Sequence, residues 1–229
     1  MKRYGLLFIL IFLTGQARCQ TMDLNSSSFV DLGLRLLAAN AMEKANTKEL
    51  IEGSVYLNDE FVEAKIITVR GEFNPQKMRY NIYEDAMEFE MGGKLLLMDA
   101  SRLIKNITLD EQVFVAADFP YKSKTVRGFL EQVYFGKYAL YAKKNISYRT
   151  AEPPKALEAE GRSARYIRSS DSYFLKTPGQ ELVKVASIKN IIGLLPVKND
   201  VLKKYAKKEK LSNKNIEDMS RLLQFANTL

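Results

Sequence analysis

Apolar and polar positions change their spacing twice along this chain. After Ser26, Ser27 and Ser28, the residues Phe29, Val30, Leu32, Leu34, Leu36, Leu37 and Ala41 lie in an Ala-, Leu-, Glu- and Lys-rich stretch that runs on to Leu50 and Ile51. Serine is a good helix cap and these residue types favour helix, so the pattern predicts one or two helices over 29–52, stopped by Gly53. From residue 61 the period becomes two. Residues 61–69 (FVEAKIITV) are β-branched and partly alternating. Met78, Tyr80 and Ile82 alternate with Arg79, Asn81 and Tyr83, and Met87, Phe89 and Met91 alternate with Glu88 and Glu90. Such stretches predict half-buried antiparallel strands. Glu84-Asp85 and Gly92-Gly93 mark the turns between them. Further strands are expected over 94–98, 103–108, 112–116, 125–135 and 138–148. This short, regular spacing predicts a meander closing into a curved sheet, a roll or a barrel.

Residues 151–164 (AEPPKALEAEGRSA) break the rhythm and predict a surface loop or a linker. A hairpin of 165–176 and 181–186 around Thr177-Pro178-Gly179-Gln180 follows. Period 3.6 then returns. Ser187 can cap a helix over 188–195 that Pro196 ends, a second helix fits 200–210, and Asn215 can cap a third. The expected fold is α+β, mostly an antiparallel meander with an N-terminal helix and a C-terminal helical segment. The expected organisation is a signal peptide at 1–19, a helical segment at 20–52, a β domain at 53–186 and a basic helical tail at 187–229.

The first residues carry an address. Lys2 and Arg3 precede an unbroken apolar run at 5–13 (GLLFILIFL), followed by a more polar stretch to Cys19. This is the layout of a secretory signal peptide; the run is too short to span a bilayer, which takes about 20 residues. Cleavage is expected after Cys19. A lipidated Cys19 is the other reading, but Arg18 stands where a bacterial lipoprotein signal has a small residue. Export predicts a periplasmic, outer-membrane-associated or extracellular protein that is not transmembrane in its mature form. Charge on both faces of the strands argues against a membrane β-barrel.

Two segments, 53–61 (GSVYLNDEF) and 78–89 (MRYNIYEDAMEF), together with the Lys-rich stretch from Lys203 to Asn227, resemble a group of uncharacterised exported proteins common in Bacteroidota. Val55 and Ala86 stand where that group has Pro and an acid. The resemblance implies a secreted, β-rich protein of the bacterial envelope. It carries no activity to transfer.

Composition narrows the chemistry. The chain has no His, no Trp and a single Cys. Triads and dyads that use His, and zinc or haem sites ligated by it, are excluded. No cofactor or metal is expected, and no calcium loop or Gly-rich phosphate loop is present. The formal net charge of +8 becomes +5 once Lys2, Arg3 and Arg18 leave. That is mildly basic, and with export it argues against nucleic acid as a partner. Glu88 and Glu90 share one face of a strand at a separation that paired glycosidase carboxylates use, about 5 to 10 Å. Their alternation with Met87, Phe89 and Met91 makes them the solvated face of an amphipathic strand instead.

Two groups are candidates for binding. Lys203, Lys204, Lys207 and Lys208 fall on one face of the expected second helix, opposite Val201, Leu202 and Tyr205, and could meet an anionic surface component or an envelope protein. Tyr134, Phe135, Tyr138, Tyr141 and Tyr148 crowd one hairpin, where they can hold a sugar or peptide or pair across strands; Tyr134, Tyr138 and Tyr141 are the candidates for binding. The functional expectation is a non-catalytic envelope protein acting as an interaction or structural module. The alternatives are a lipid or sugar carrier using the interior of a rolled sheet and a hydrolase working through carboxylates alone.

Overall fold

The computed structural model describes residues 51–74, 77–91, 94–154 and 161–229. The signal segment, nearly all of the expected N-terminal helices and the Gly92-Gly93 turn lie outside the described residues. Alternation places most of the strands. β1 (Ala64–Thr68), β2 (Gly71–Phe73), β3 (Met78–Asn81), β4 (Ala86–Met91) and β5 (Lys94–Met98) come first. β6 (Ile104–Leu109), β7 (Gln112–Tyr121), β8 (Lys124–Tyr134), β9 (Ala139–Arg149), β10 (Arg165–Lys176) and β11 (Val183–Val185) follow. β2 is three residues long, too short for a period to register in the sequence. β7 runs five residues beyond the expected 112–116, through Pro120, as a hairpin arm with β8.

The strands form two antiparallel sheets. The long sheet has the order β11-β10-β9-β8-β7-β6-β1-β2, and the small one the order β3-β4-β5. The long sheet is open, with β11 and β2 at its edges. It curves enough to bring β11 close to β7, but no ladder joins them.

Register decides what each face carries. Ile66 opposes Ile107, Ile107 opposes Phe114, and Phe114 opposes Glu131, so these side chains share one face. Over that face the small sheet packs Met78, Tyr80, Met87, Phe89, Leu96 and Met98. Ala142 and Tyr173 continue the same face across β9 and β10. There, beside Leu140, Leu175 and Val185, the three helices dock. The reverse face holds a smaller cluster of Phe119, Leu130, Phe174 and Leu182.

The helices begin where their caps predict. Ser187 accepts from the Asn190 N–H at the start of α1 (Ile188–Leu194), and Asn215 accepts from the Asp218 N–H at the start of α3 (Ile216–Ala226). Between them lies α2 (Asn199–Lys208). These helices share a core with the sheet and do not form a detached tail. Leu202, Leu222 and Leu223 are fully buried, and burying such a side chain stabilises by about 1.5–3 kcal/mol. Asn227 ties the end of α3 to the start of β9, accepting from the Tyr138 N–H at 2.9 Å and donating to the Tyr138 carbonyl at 3.1 Å.

One junction departs from a regular meander. β8 and β9 are eleven residues each, yet their ladder runs only between Glu131 and Tyr134 on one side and Leu140 and Ala142 on the other. Beyond it the strands diverge, and the β3–β4 turn fills the gap. Asp85, at φ 54°, accepts from the Phe129 N–H at 3.3 Å, while Lys143 donates to the Phe129 carbonyl at 3.4 Å. A side-chain pair thus satisfies backbone groups that a neighbouring strand would otherwise have taken.

Candidate functional site

The four lysines of α2 stand as the helical spacing predicts. Lys203, Lys204, Lys207 and Lys208 are all exposed, while Leu202 on the other side is buried and the Tyr205 ring stacks on Phe225 at 4.0 Å. Packing of Leu202 and Tyr205 fixes the rotation of the helix, so the lysines must face outward. None of the four makes an ion pair among the described residues. Lys203 and Lys189, the latter from α1, border one groove of about 370 Å³ with Ile192 and Ala206 in its lining.

The three candidate tyrosines are not brought together. Tyr138 is 2% exposed and lies in the core beneath the helices, so its ring cannot meet a partner. Tyr134 packs half-buried against the same core. Tyr141 points to the reverse face, beside Phe119 and Leu182. There the gap between β7 and β11 leaves a cavity of about 440 Å³, lined by Val115, Ala117, Phe119, Tyr141 and Leu182 with Glu181 among its polar residues. The Tyr141 hydroxyl has no hydrogen-bond partner among the described residues, and burial pushes its pKa up.

Glu88 corrects the reading of a solvated face. It is 4% exposed and is held by Arg79 at 2.8 Å and by the Asn81 amide at 3.0 Å. Residues 54–62 cover this side of the small sheet, running along β3 through Leu57 N–H to Tyr80 and a two-way exchange between Val62 and Met78. The Arg79 guanidinium lies 3.6 Å from the Tyr56 ring centroid and 4.4 Å from that of Phe61. The segments 53–61 and 78–89 are therefore packed on each other around one ion pair. Glu90 remains exposed, so the two carboxylates do not converge.

Two further ionic clusters brace the sheet. Lys143 contacts Asp85 at 2.5 Å and Tyr80 at 2.8 Å, and Tyr80 donates to Asp85 at 2.6 Å. Burial holds the Lys143 pKa below its ordinary value against the pull of Asp85. Burial, reinforced by Asp85, pushes the Tyr80 phenol well above its own. Lys144 is held between Glu131 and Asp171, and its pKa is raised because those two carboxylates outweigh its desolvation. Each cation here is already matched by protein carboxylates. Among the described residues no group of three or more acidic or Cys side chains gathers in a way that could hold a metal ion.

A surface feature that hydrophobic patterning does not reveal joins three distant tyrosines. Tyr148 and Tyr166 oppose each other across β9 and β10, with ring centroids 5.3 Å apart. Tyr83, from the β3–β4 turn, meets Tyr166 at 5.0 Å. Tyr83 is 45% and Tyr148 36% exposed. Beside Tyr166 lies an open depression of about 440 Å³, lined by residues 53–56 and Asp59. Gly53, at φ +82°, makes this approach possible, because a Cβ there would lie 2.5 Å from the Tyr166 carbonyl oxygen. Tyr148 is among the hairpin aromatics that the sequence singles out, but its meeting with Tyr166 depends on the loop between the two strands and that of Tyr83 on a separate turn.

No protein-family model, curated protein or solved structure matches this chain. The class that the geometry defines is an α+β protein with a mostly antiparallel, open, curved sheet. No helix among the described residues is long and apolar enough to cross a membrane.

Proposed function

We propose that this chain is an exported, non-catalytic protein of the bacterial envelope that docks through the basic face of α2 onto a phosphate-bearing surface. The observation that carries this reading is the outward row of Lys203, Lys204, Lys207 and Lys208, which make no ion pair among the described residues. The signal-peptide layout of residues 1–19 and the resemblance to exported Bacteroidota proteins support the address. A rigid helix that presents several ammonium groups to one side suits a plane of headgroup phosphates, where each lysine adds to the attraction. The test is co-sedimentation of residues 20–229 with phosphatidylglycerol or phosphatidylcholine vesicles. Binding to the anionic vesicles alone, weakening as salt rises, is expected. The quadruple variant K203Q/K204Q/K207Q/K208Q should bind at least about tenfold more weakly. Equal binding to both vesicle types, or an unaffected variant, would refute the reading.

The cavity between β7 and β11 favours a second reading, a carrier of a small amphipathic molecule. Its lining, apolar at Val115, Ala117, Phe119 and Leu182 and charged at Lys176 and Glu181, and a Tyr141 hydroxyl with no hydrogen-bond partner among the described residues are the supporting observations. Native mass spectrometry of protein purified from its host tests this. A bound small molecule that disappears in Leu182→Trp supports the carrier, and an empty spectrum removes it.

A further inference from the structure

We propose that the strip Tyr83–Tyr166–Tyr148 and the depression beside it form a binding site for a neutral pyranose oligosaccharide. The inference is independent of the α2 surface.

The strip has the make-up of a recognition surface. Three aromatic side chains from a turn and two strands converge at the surface, where a fold needs only scattered apolar groups. Their interplanar angles of 64° and 51° are edge-to-face or tilted and not parallel stacks, and Tyr83 and Tyr148 at the two ends remain exposed. None of the three hydroxyls donates or accepts within the described protein. An open ring face matches the apolar C–H face of a pyranose, and a free phenol matches its hydroxyls. Tyrosine supplies both with two side-chain torsions to immobilise.

The depression supplies the directional part. Asp59 and Ser54 both line it and are hydrogen-bonded to each other, and the second oxygen of the Asp59 carboxylate has no partner among the described residues. An ionised carboxylate only accepts hydrogen bonds. Its occupant must therefore bring O–H or N–H donors, as a sugar diol does. A proline-rich strand, the other common ligand of tyrosine surfaces, offers carbonyl acceptors and lacks N–H at each proline.

Charge sets the class of sugar. No Lys or Arg lines the depression. Arg79 beneath it is committed to Glu88. Asp59 lies at its edge, and the pKa of Tyr166 is raised chiefly by burial, with the Glu84 carboxylate a smaller contributor. An acidic sugar in the depression would meet Asp59 with no Lys or Arg in the lining to offset it. A quaternary ammonium ligand wants rings converging around one point. Here only neighbouring rings meet, Tyr83 with Tyr166 and Tyr166 with Tyr148, which makes a strip and not a cage.

The experiment is NMR of tyrosine-ring-labelled protein titrated with cellohexaose, maltohexaose, mannohexaose and xylohexaose. Choline and a proline-rich decapeptide are titrated in parallel. At least one hexasaccharide should shift the Tyr83, Tyr148 and Tyr166 ring signals and leave buried Tyr138 unmoved. Tyr83→Ala and Tyr148→Ala should each weaken that binding about tenfold, while Tyr148→Phe, which keeps the ring, should retain most of it. Both tyrosines are exposed, and unchanged signals from Tyr80 and Tyr138 will show that the variants fold. The proposal is overturned if no hexasaccharide moves the three signals or if the alanine variants bind as well as the parent. Choline or the peptide taking the site in place of every sugar overturns it too.

Discussion

The Asp85 carboxylate occupies the space that a side chain on Gly128 would need: a Cβ at Gly128 would lie 2.1 Å from Asp85 Oδ2 and 3.2 Å from Phe119 Cε1. This contact is where the small sheet's turn enters the gap between β8 and β9. The carboxylate reaches the Phe129 N–H only because position 128 has no side chain.

Gly128→Ala should therefore force Asp85 out of the gap and separate it from Lys143 and Tyr80. A loss of about 3 kcal/mol is expected, in the range for breaking a buried ionic network. Gly193→Ala makes the control. Nothing lies within 4 Å of its Cβ position in α1, and replacing a helical glycine by alanine should stabilise by about 0.5 kcal/mol. Urea unfolding of both variants measures the difference and its sign.

Lys143→Met leaves Asp85 half-buried with no cation, and Asp85→Asn leaves Lys143 with no anion. Each should cost about 3 kcal/mol. The double variant should cost less than the two singles together, because neither residue is then left charged and unpaired. A double-mutant cycle by chemical denaturation reads the coupling. Strict additivity would mean that the pair does not act as a unit.

Stability should fall as the pH rises past the ordinary tyrosine value of 10.0. A phenol whose folded pKa is raised binds its proton more tightly in the native state. Its contribution is complete below 10.0 and is lost as pH climbs through the folded value. Tyr80 is raised most clearly, with Tyr56, Tyr141 and Tyr173 raised by burial in the same direction. Lys143 acts the other way. Its folded pKa lies below 10.5, so its contribution grows as pH rises towards 10.5. With the tyrosines outnumbering the lysine, the melting temperature should decline across the alkaline limb. Tyr80→Phe should flatten that decline even though it lowers stability at neutral pH.

Arg79 tests the packing of residues 54–62. Arg79→Ala should cost about 3 to 5 kcal/mol, since it leaves Glu88 buried without its cation. Arg79→Lys should recover part of the loss. A lysine restores charge but cannot stack flat between Tyr56 and Phe61 while contacting Glu88. Hydrogen exchange should report faster opening at Leu57 and Val62 in both variants, with the larger effect in the alanine variant.

The strand pattern was legible because alternation is local. Alternation and turn residues mark β5 and β10 with the same ends as the structure, and the Ser187 and Asn215 caps mark the starts of their helices. The outward lysines of α2 were legible for the same reason, since helical spacing alone separates them from Leu202. The folding of the helices onto the sheet was not. Tyr138 reads as one of several hairpin aromatics, and it becomes core only because α3 returns to the start of β9 through Asn227. Glu88 reads as a surface acid and becomes buried because a segment more than twenty-five residues earlier lies over it.

Spacing of side chains along the backbone, a property of neighbours, thus sets which elements form and which way the α2 lysines face. Contacts between distant segments set everything that depends on who covers whom. The opening between β8 and β9, its filling by Asp85 and Lys143, and the meeting of Tyr83, Tyr148 and Tyr166 all arise there. Each requires residues dozens of positions apart to be brought within hydrogen-bond or van der Waals reach, and no local period encodes that approach.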